Sequence, residues 1–449
     1  MVFLVILVAY SLLVFILKKT GILDRYSVSL YGPALLFRTK KGKNFLRKLA
    51  LKKRFWKAYG SFSVFFCFIM MILFTMLIIW NTWMAFGLLN LSPAEKANLP
   101  GPEVALVLPG INPILPLEYL GYIVLALIIA IIVHEFSHGI LAIIGKMKVK
   151  SLGLLFMIVP VGAFCEPDEE QLKEAETVKR MRVFAAGPLS NFTVAIIVIV
   201  ILTLLFMPAV THVEGVDVFY SFEDSPAEEI GLSAGCVITS INDTKVTDLI
   251  NFREIMDDTN SYQTINITFY RKGQFINKEV ELTSIYQYDD SNESYKNISF
   301  LGIGFNPYTH LFDYVKNPFI NDFPFSFLYL YIMPLSGYVI GYNPITEPFT
   351  DAYLIQGPLS ALSPDLFWII FTTLFWIFWL NFLLGLFNIL PMVPLDGGYL
   401  FKDGFSLFLK KVFKNINDEK TEKISKNIVL VVSLFILFMI ISQFFVKYI

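Results

Sequence analysis

Apolar residues in this chain gather into long blocks instead of recurring at the period of a soluble helix or strand. Blocks long enough to cross a bilayer, about 20 residues, lie near 2–17, 61–87, 119–145, 183–208, 365–391 and 427–446. The polar loop between the first two, "FRTKKGKNFLRKLALKKRFWK", is densely basic. The excess of positive charge predicts that it faces the cytosol, so the amino terminus lies outside. The third block ends at Lys146, Lys148 and Lys150, which return the chain to the same side. From about 211 to 287 the pattern changes to short alternating segments such as "INITFYRKG" and "FINKEVELT", which read as strands. The pattern thus predicts a multi-pass α-helical membrane protein of about six spans with an inserted β-domain on the extracytosolic side.

Three apolar stretches fit that scheme less simply. The block at 2–17 lacks a basic leader and a small-residue cleavage site, and it is expected to be a retained span, not a signal peptide. Residues 151–166, "SLGLLFMIVPVGAFCE", are broken by glycines and a proline. They are expected to form an extended hairpin dipping back into the protein from the cytosolic side, since irregular backbone at membrane depth must be shielded by protein. The alternative is an ordinary interfacial loop. Residues 324–342 could span, but an extra crossing there would break the charge rule, because a lysine-rich segment follows 365–391. They are expected to lie along the outer interface or to dip in and return, with a genuine span as the alternative.

Composition narrows the class. Of 449 residues, 55% are hydrophobic and 16% charged, against about 25% charged in soluble proteins. No basic stripe with interleaved aromatics appears, which argues against nucleic acid. Cys67, Cys165 and Cys236 are scattered and suggest neither a disulfide framework nor a thiolate metal site.

The third block contains the chemistry. His134 and His138 stand four residues apart inside "ALIIAIIVHEFSHGILAIIG". On a helix this spacing puts both rings on one face, where they can hold one Zn²⁺. Glu135 would project beside it as general base, the HExxH arrangement. An ionisable cluster in a span is costly and so calls for a task. A catalytic zinc needs a third protein ligand. His212 and His310 lie outside the spans by this topology. Asp396, in "NFLLGLFNILPMVPLDGGYLF", sits at the cytosolic end of the fifth block, at the depth of the histidine pair. The competing reading of "PLDGG" is a polar turn at the membrane boundary.

With "HEFSH" at 134–138, "NILPMVPLDGG" at 388–398 and "AAGPLSN" at 185–191, the chain resembles the site-2 protease family of intramembrane zinc metalloproteases over roughly 115–400. That family pairs HExxH in one span with an LDG motif in a later one, often with a PDZ domain between. Here "SPAEEIGLSAGCVITSINDTKV" resembles a PDZ core. The resemblance implies His134, His138 and Asp396 as ligands of one zinc ion per chain and Glu135 as catalytic base. Asn191 and Asn388 are implied as donors to the substrate backbone or the oxyanion, with helix–helix hydrogen bonding as their alternative.

The expected organisation is 1–114, amino-terminal spans and basic loop; 115–210, the first part of the catalytic core; 211–287, the PDZ-like domain; 288–364, a linker with the interfacial segment; and 365–449, the second part of the core. The expected activity is a zinc metalloendopeptidase that cuts membrane-spanning protein substrates within or near the lipid bilayer, with its catalytic site toward the cytosol. A prenyl-protein protease would leave the LDG turn and the insert unexplained. A zinc transporter would need more polar residues along its spans. A catalytically inactive scaffold binding extracytosolic tails through the insert would have no use for Glu135.

Overall fold

A computed structural model describes residues 2–449 apart from 26–27, 32–33, 40–41, 98, 106–108, 158, 309–310, 321 and 342. The chain divides into two compact units, 1–198 with 376–449, and 199–375.

The first unit is built on helices. In chain order those of seven residues or more are α1 (Val2–Lys19), α2 (Lys43–Leu49), α3 (Lys53–Gly87), α4 (Leu120–Ile144), α5 (Thr177–Ile201), α6 (Pro364–Asn388, which enters this unit at Trp376), α7 (Asp396–Val412) and α8 (Asp418–Phe445). Among the described residues, five helical segments are long and apolar enough to cross a membrane: Lys53–Asn90, Leu117–Ile144, Thr177–Ala209, Pro364–Asn388 and Asp418–Phe445. They coincide with five of the expected spans. The remaining expected span is α1, whose side chains at 2–7 lie outside the described residues.

The interrupted stretch near 151–166 does form a hairpin, β3 (Val149–Met157) with β4 (Val159–Pro167). The segment leading into the basic loop supplies two further strands, β1 (Val28–Tyr31) and β2 (Ala34–Thr39). Together they make a four-stranded antiparallel sheet in the order β1-β2-β3-β4, with β4 at an edge. The sheet and α2 close over α4. Leu46, Leu152 and Cys165 share one buried cluster with Ile140, Leu141, Ala142, Val183 and Ala186. Gly139 makes this approach possible, since a Cβ there would come within 2.7 Å of Cys165 Sγ and 2.9 Å of Leu46 Cδ1.

The second unit holds the inserted β-domain. Across its main sheet the strands run Gln274–Glu281, Thr264–Arg271, Val237–Ile241, Val216–Ser221 and Ile303–Phe305. The last strand lies beyond residue 287. Alternation buries Ile265, Ile267 and Phe269 on one face against Val218, Ile238 and Phe252. A separate pair joins Val210–His212 to Tyr353–Ile355. The apolar block near 324–342 is a single helix, Phe325–Ile340, of 16 residues.

Candidate metal centre

The histidine pair, its glutamate and the distant aspartate all lie in the first unit. His134 and His138, on α4, are both 8% exposed, and their rings are 4.7 Å apart. Donor atoms of His134, Glu135 and His138 lie within 4.8 Å of one another. Asp396 opens α7, and its Oδ2 stands 3.0 Å from His134 Nε2 and 3.2 Å from His138 Nε2. A carboxylate in the first turn of a helix is also favoured by the positive end of the helix dipole.

The other ring nitrogens fix the tautomers. His138 Nδ1 is 2.7 Å from Val183 O. A carbonyl can only accept, so Nδ1 carries the proton, and the ring when neutral presents its lone pair at Nε2. His134 Nδ1 lies 3.1 Å from Asn191 Oδ1 and is oriented in the same way. Two lone pairs and one carboxylate oxygen therefore converge, and Asp396 Oδ2 makes no hydrogen bond. Such a group of acceptors repels itself unless a cation lies among them. The residues fit a His₂Asp zinc site in donor type, number and convergence.

The wall beside the donors is backbone. A Cβ at Gly187 would stand 2.5 Å from His138 Nε2 and 2.6 Å from His134 Nε2, so only glycine leaves the lone pairs clear. Ser190, one turn on, donates to Gly187 O of its own helix at 2.6 Å and lies 3.2 Å from Val133 O of α4. The loop before Asp396 is held by α8, where Ser433 Oγ accepts from Val393 N at 3.0 Å.

Glu135 points at the hairpin. Its Oε2 accepts from Cys165 N at 2.6 Å. Asn191, expected on the substrate side, is fully buried with Oδ1 at His134 and Nδ2 without a hydrogen-bond partner. Asn388 donates to Leu384 O of its own helix at 3.1 Å. His212 pairs with Asp217 in the second unit at 2.9 Å, and His310 lies outside the described residues. Sequence reasoning did not anticipate Val183 O, Gly187 or Ser433. Of these only Gly187, inside "AAGPLSN", left a trace in the sequence.

The sequence model of peptidase family M50, the site-2 protease family, matches residues 122–439. The chain belongs to this family. An uncharacterized protein of Methanocaldococcus jannaschii is 28% identical over 404 residues, 87% of this chain and 85% of that protein. Zinc metalloprotease RasP of Shouchella clausii is 26% identical over 245 residues, so the match spans about half of each protein, 54% in both cases. Among solved structures, the PDZ domain of an SdrC-like protein of Listeria monocytogenes aligns with 21% of this chain and 90% of that domain, at 21% identity and a TM-score of 0.18. Membership of family M50 makes this an integral membrane protein of a zinc metalloprotease family, and a His–Glu–His cluster able to hold a metal ion is present in it.

Proposed function

We propose that this M50 protein is an intramembrane zinc metalloendopeptidase that cleaves membrane-spanning protein substrates within or near the bilayer. The observation that carries the reading is the convergence of two histidine Nε2 atoms and an aspartate oxygen beside a glutamate that accepts from the hairpin. His134, His138 and Asp396 hold one Zn²⁺, and Glu135 is the general base. A zinc ion held there would supply Lewis acidity, polarising the scissile carbonyl and lowering the pKa of a water toward neutrality. Glu135 takes that proton and passes it to the leaving amine. Val183 O and Asn191 Oδ1 hold both rings with Nε2 toward the metal. Asn388 remains the residue proposed to hold the substrate.

A substrate helix hides its amides in its own hydrogen bonds and must be opened before attack. The β4 edge supports a way to capture it. Cys165 N points away from β3, since it donates to Glu135. Residue direction alternates along a strand, so the backbone at 163 faces outward too, up to the bulge that breaks the register before Pro160. A substrate strand added to that edge would begin at the catalytic base. We assign the hairpin and the metal centre to the cytosolic side and the β-domain, read as PDZ-like, to the opposite side.

Purified protein and a co-expressed membrane substrate test this reading. Glu135→Gln should keep one zinc per chain and lose cleavage by about 10²- to 10⁴-fold, the usual worth of a general base. Undiminished cleavage in that variant would remove the mechanism.

A further inference from the structure

Two turns beyond Asp396, α7 buries a second carboxylate that the zinc reading leaves without a task. Asp403 is fully buried, and Arg180 grips both of its oxygens. Nε meets Oδ2 at 2.6 Å and Nη2 meets Oδ1 at 2.7 Å, while Nη1 donates to Lys173 O at 3.0 Å. A buried ion pair adds little net stability, because desolvation offsets the attraction. Its two-point fork does fix a geometry, which a single-point ammonium contact would not.

The position of the fork shows which geometry. One turn along α5 from Arg180, Phe184 stacks on Tyr399, with centroids 5.0 Å apart and planes 19° apart. Arg180 and Phe184 share one face of α5; Asp403 and Tyr399 share one face of α7. Asp396 lies on the same face of α7, just before Tyr399. On α5, Val183 fixes His138 through its carbonyl and Gly187 backs both Nε2 atoms. Thus α5 orients the histidines, α7 presents the aspartate, and the fork is the polar tie between the two helices. Other polar contacts of α7 run to α8 instead: Lys402 with Glu422, and Ser406 with Ser425.

We propose that Arg180 and Asp403 are positioning residues of the metal centre, their two-point ion pair setting the register of α7 against α5 so that Asp396 Oδ2 meets His134 and His138 Nε2. This rests on the zinc reading above. Metal–ligand distances hold to within about 0.2 Å, so a small slip of α7 reaches the site.

The test uses the full chain in detergent, stripped of metal and titrated with Zn²⁺ against a chelator, then with Co²⁺ to read the visible spectrum. Arg180→Met with Asp403→Leu removes both charges and leaves neither unpaired. Thermal unfolding of the metal-free double variant should stay close to that of the parent chain. Its zinc affinity should fall about 10- to 100-fold, as when a partner of a metal ligand is lost, and its Co²⁺ bands should shift. A folded double variant with parental zinc affinity and Co²⁺ spectrum overturns the proposal and leaves the pair a structural tie. If the double variant does not fold, Arg180→Lys decides: it keeps the charge without the fork and should weaken zinc severalfold, and unchanged affinity overturns the proposal. Failure of the parent chain itself to bind zinc would instead sink the metal reading.

Discussion

The two units each bring histidine and aspartate within about 3 Å, with opposite meaning. In the second unit His212 Nε2 lies 2.9 and 3.0 Å from the two oxygens of Asp217. That nitrogen can donate its proton to the carboxylate, and the pair is complete as a hydrogen bond. In the first unit the protons of His134 and His138 are already committed elsewhere, to Asn191 Oδ1 and Val183 O. With both rings neutral, as a metal site requires, what reaches Asp396 is lone pair against lone pair. The distances are alike, and the atom on the far side of the ring decides which nitrogen is left to face the carboxylate.

The largest expected effect separates these two sites. Asp396→Ala leaves two protein donors, too few for a stable catalytic zinc, and should abolish metal retention after mild chelation along with cleavage. Asp217→Ala should leave zinc untouched. Metal content measured variant by variant checks this. Zinc lost from the Asp217 variant and kept in the Asp396 variant would reverse the assignment.

Asn191 sharpens the comparison on a smaller scale. As the partner of His134 Nδ1, its removal in Asn191→Ala should weaken zinc about 10- to 100-fold, whereas Asn191→Asp keeps an acceptor and should retain it. If Asn191 instead serves the substrate, the alanine variant will keep parental zinc affinity and lose cleavage alone. His212→Ala, with no role at the metal, should change neither.

The sequence made part of this centre legible. The spacing of His134, Glu135 and His138 is a statement about one helix face, and a local pattern is enough for it. Asp396 required two segments far apart in the chain to be matched by depth, which the membrane made possible by fixing where each loop lies. Val183 was invisible because it acts through its carbonyl, which every residue has. Arg180 and Asp403 were read only as parts of charged segments at membrane boundaries. The spans were legible for the same reason as Asp396: a bilayer imposes one length and one polarity. Strands β1 and β2 were not, because four to six residues beside a run of lysines carry too little period to compete with the charge. Helix α7 was likewise hidden, because it starts within the LDG motif, whose glycines read as a turn, and continues into a segment noted for its lysines.

The smallest expected effect again belongs to the second unit, and to a carboxylate that has no histidine. Asp351 is 8% exposed, and its Oδ2 has no hydrogen-bond partner. Burial pushes its carboxyl up to about 6, Lys272 nearby opposes the shift, and Glu347 adds to it. The folded unit therefore holds a proton between about pH 4 and 6 that the unfolded chain has released. Stability should be highest below this window, fall as pH rises through it, and stay level above it. The change should be on the order of 1 kcal/mol, since half-exposed Lys272 and solvent screen the charge. Asp351 ends one residue before Ala352, whose carbonyl accepts from Val213 N at 3.1 Å, and Tyr353 pairs with His212. Amide exchange at 210–213 should thus report the loss as faster exchange above pH 6, after correction for the intrinsic rate. Asp351→Asn should flatten that dependence, and Lys272→Met should deepen it. An unchanged slope in the asparagine variant would assign the titration to another group and leave Asp351 a silent buried turn.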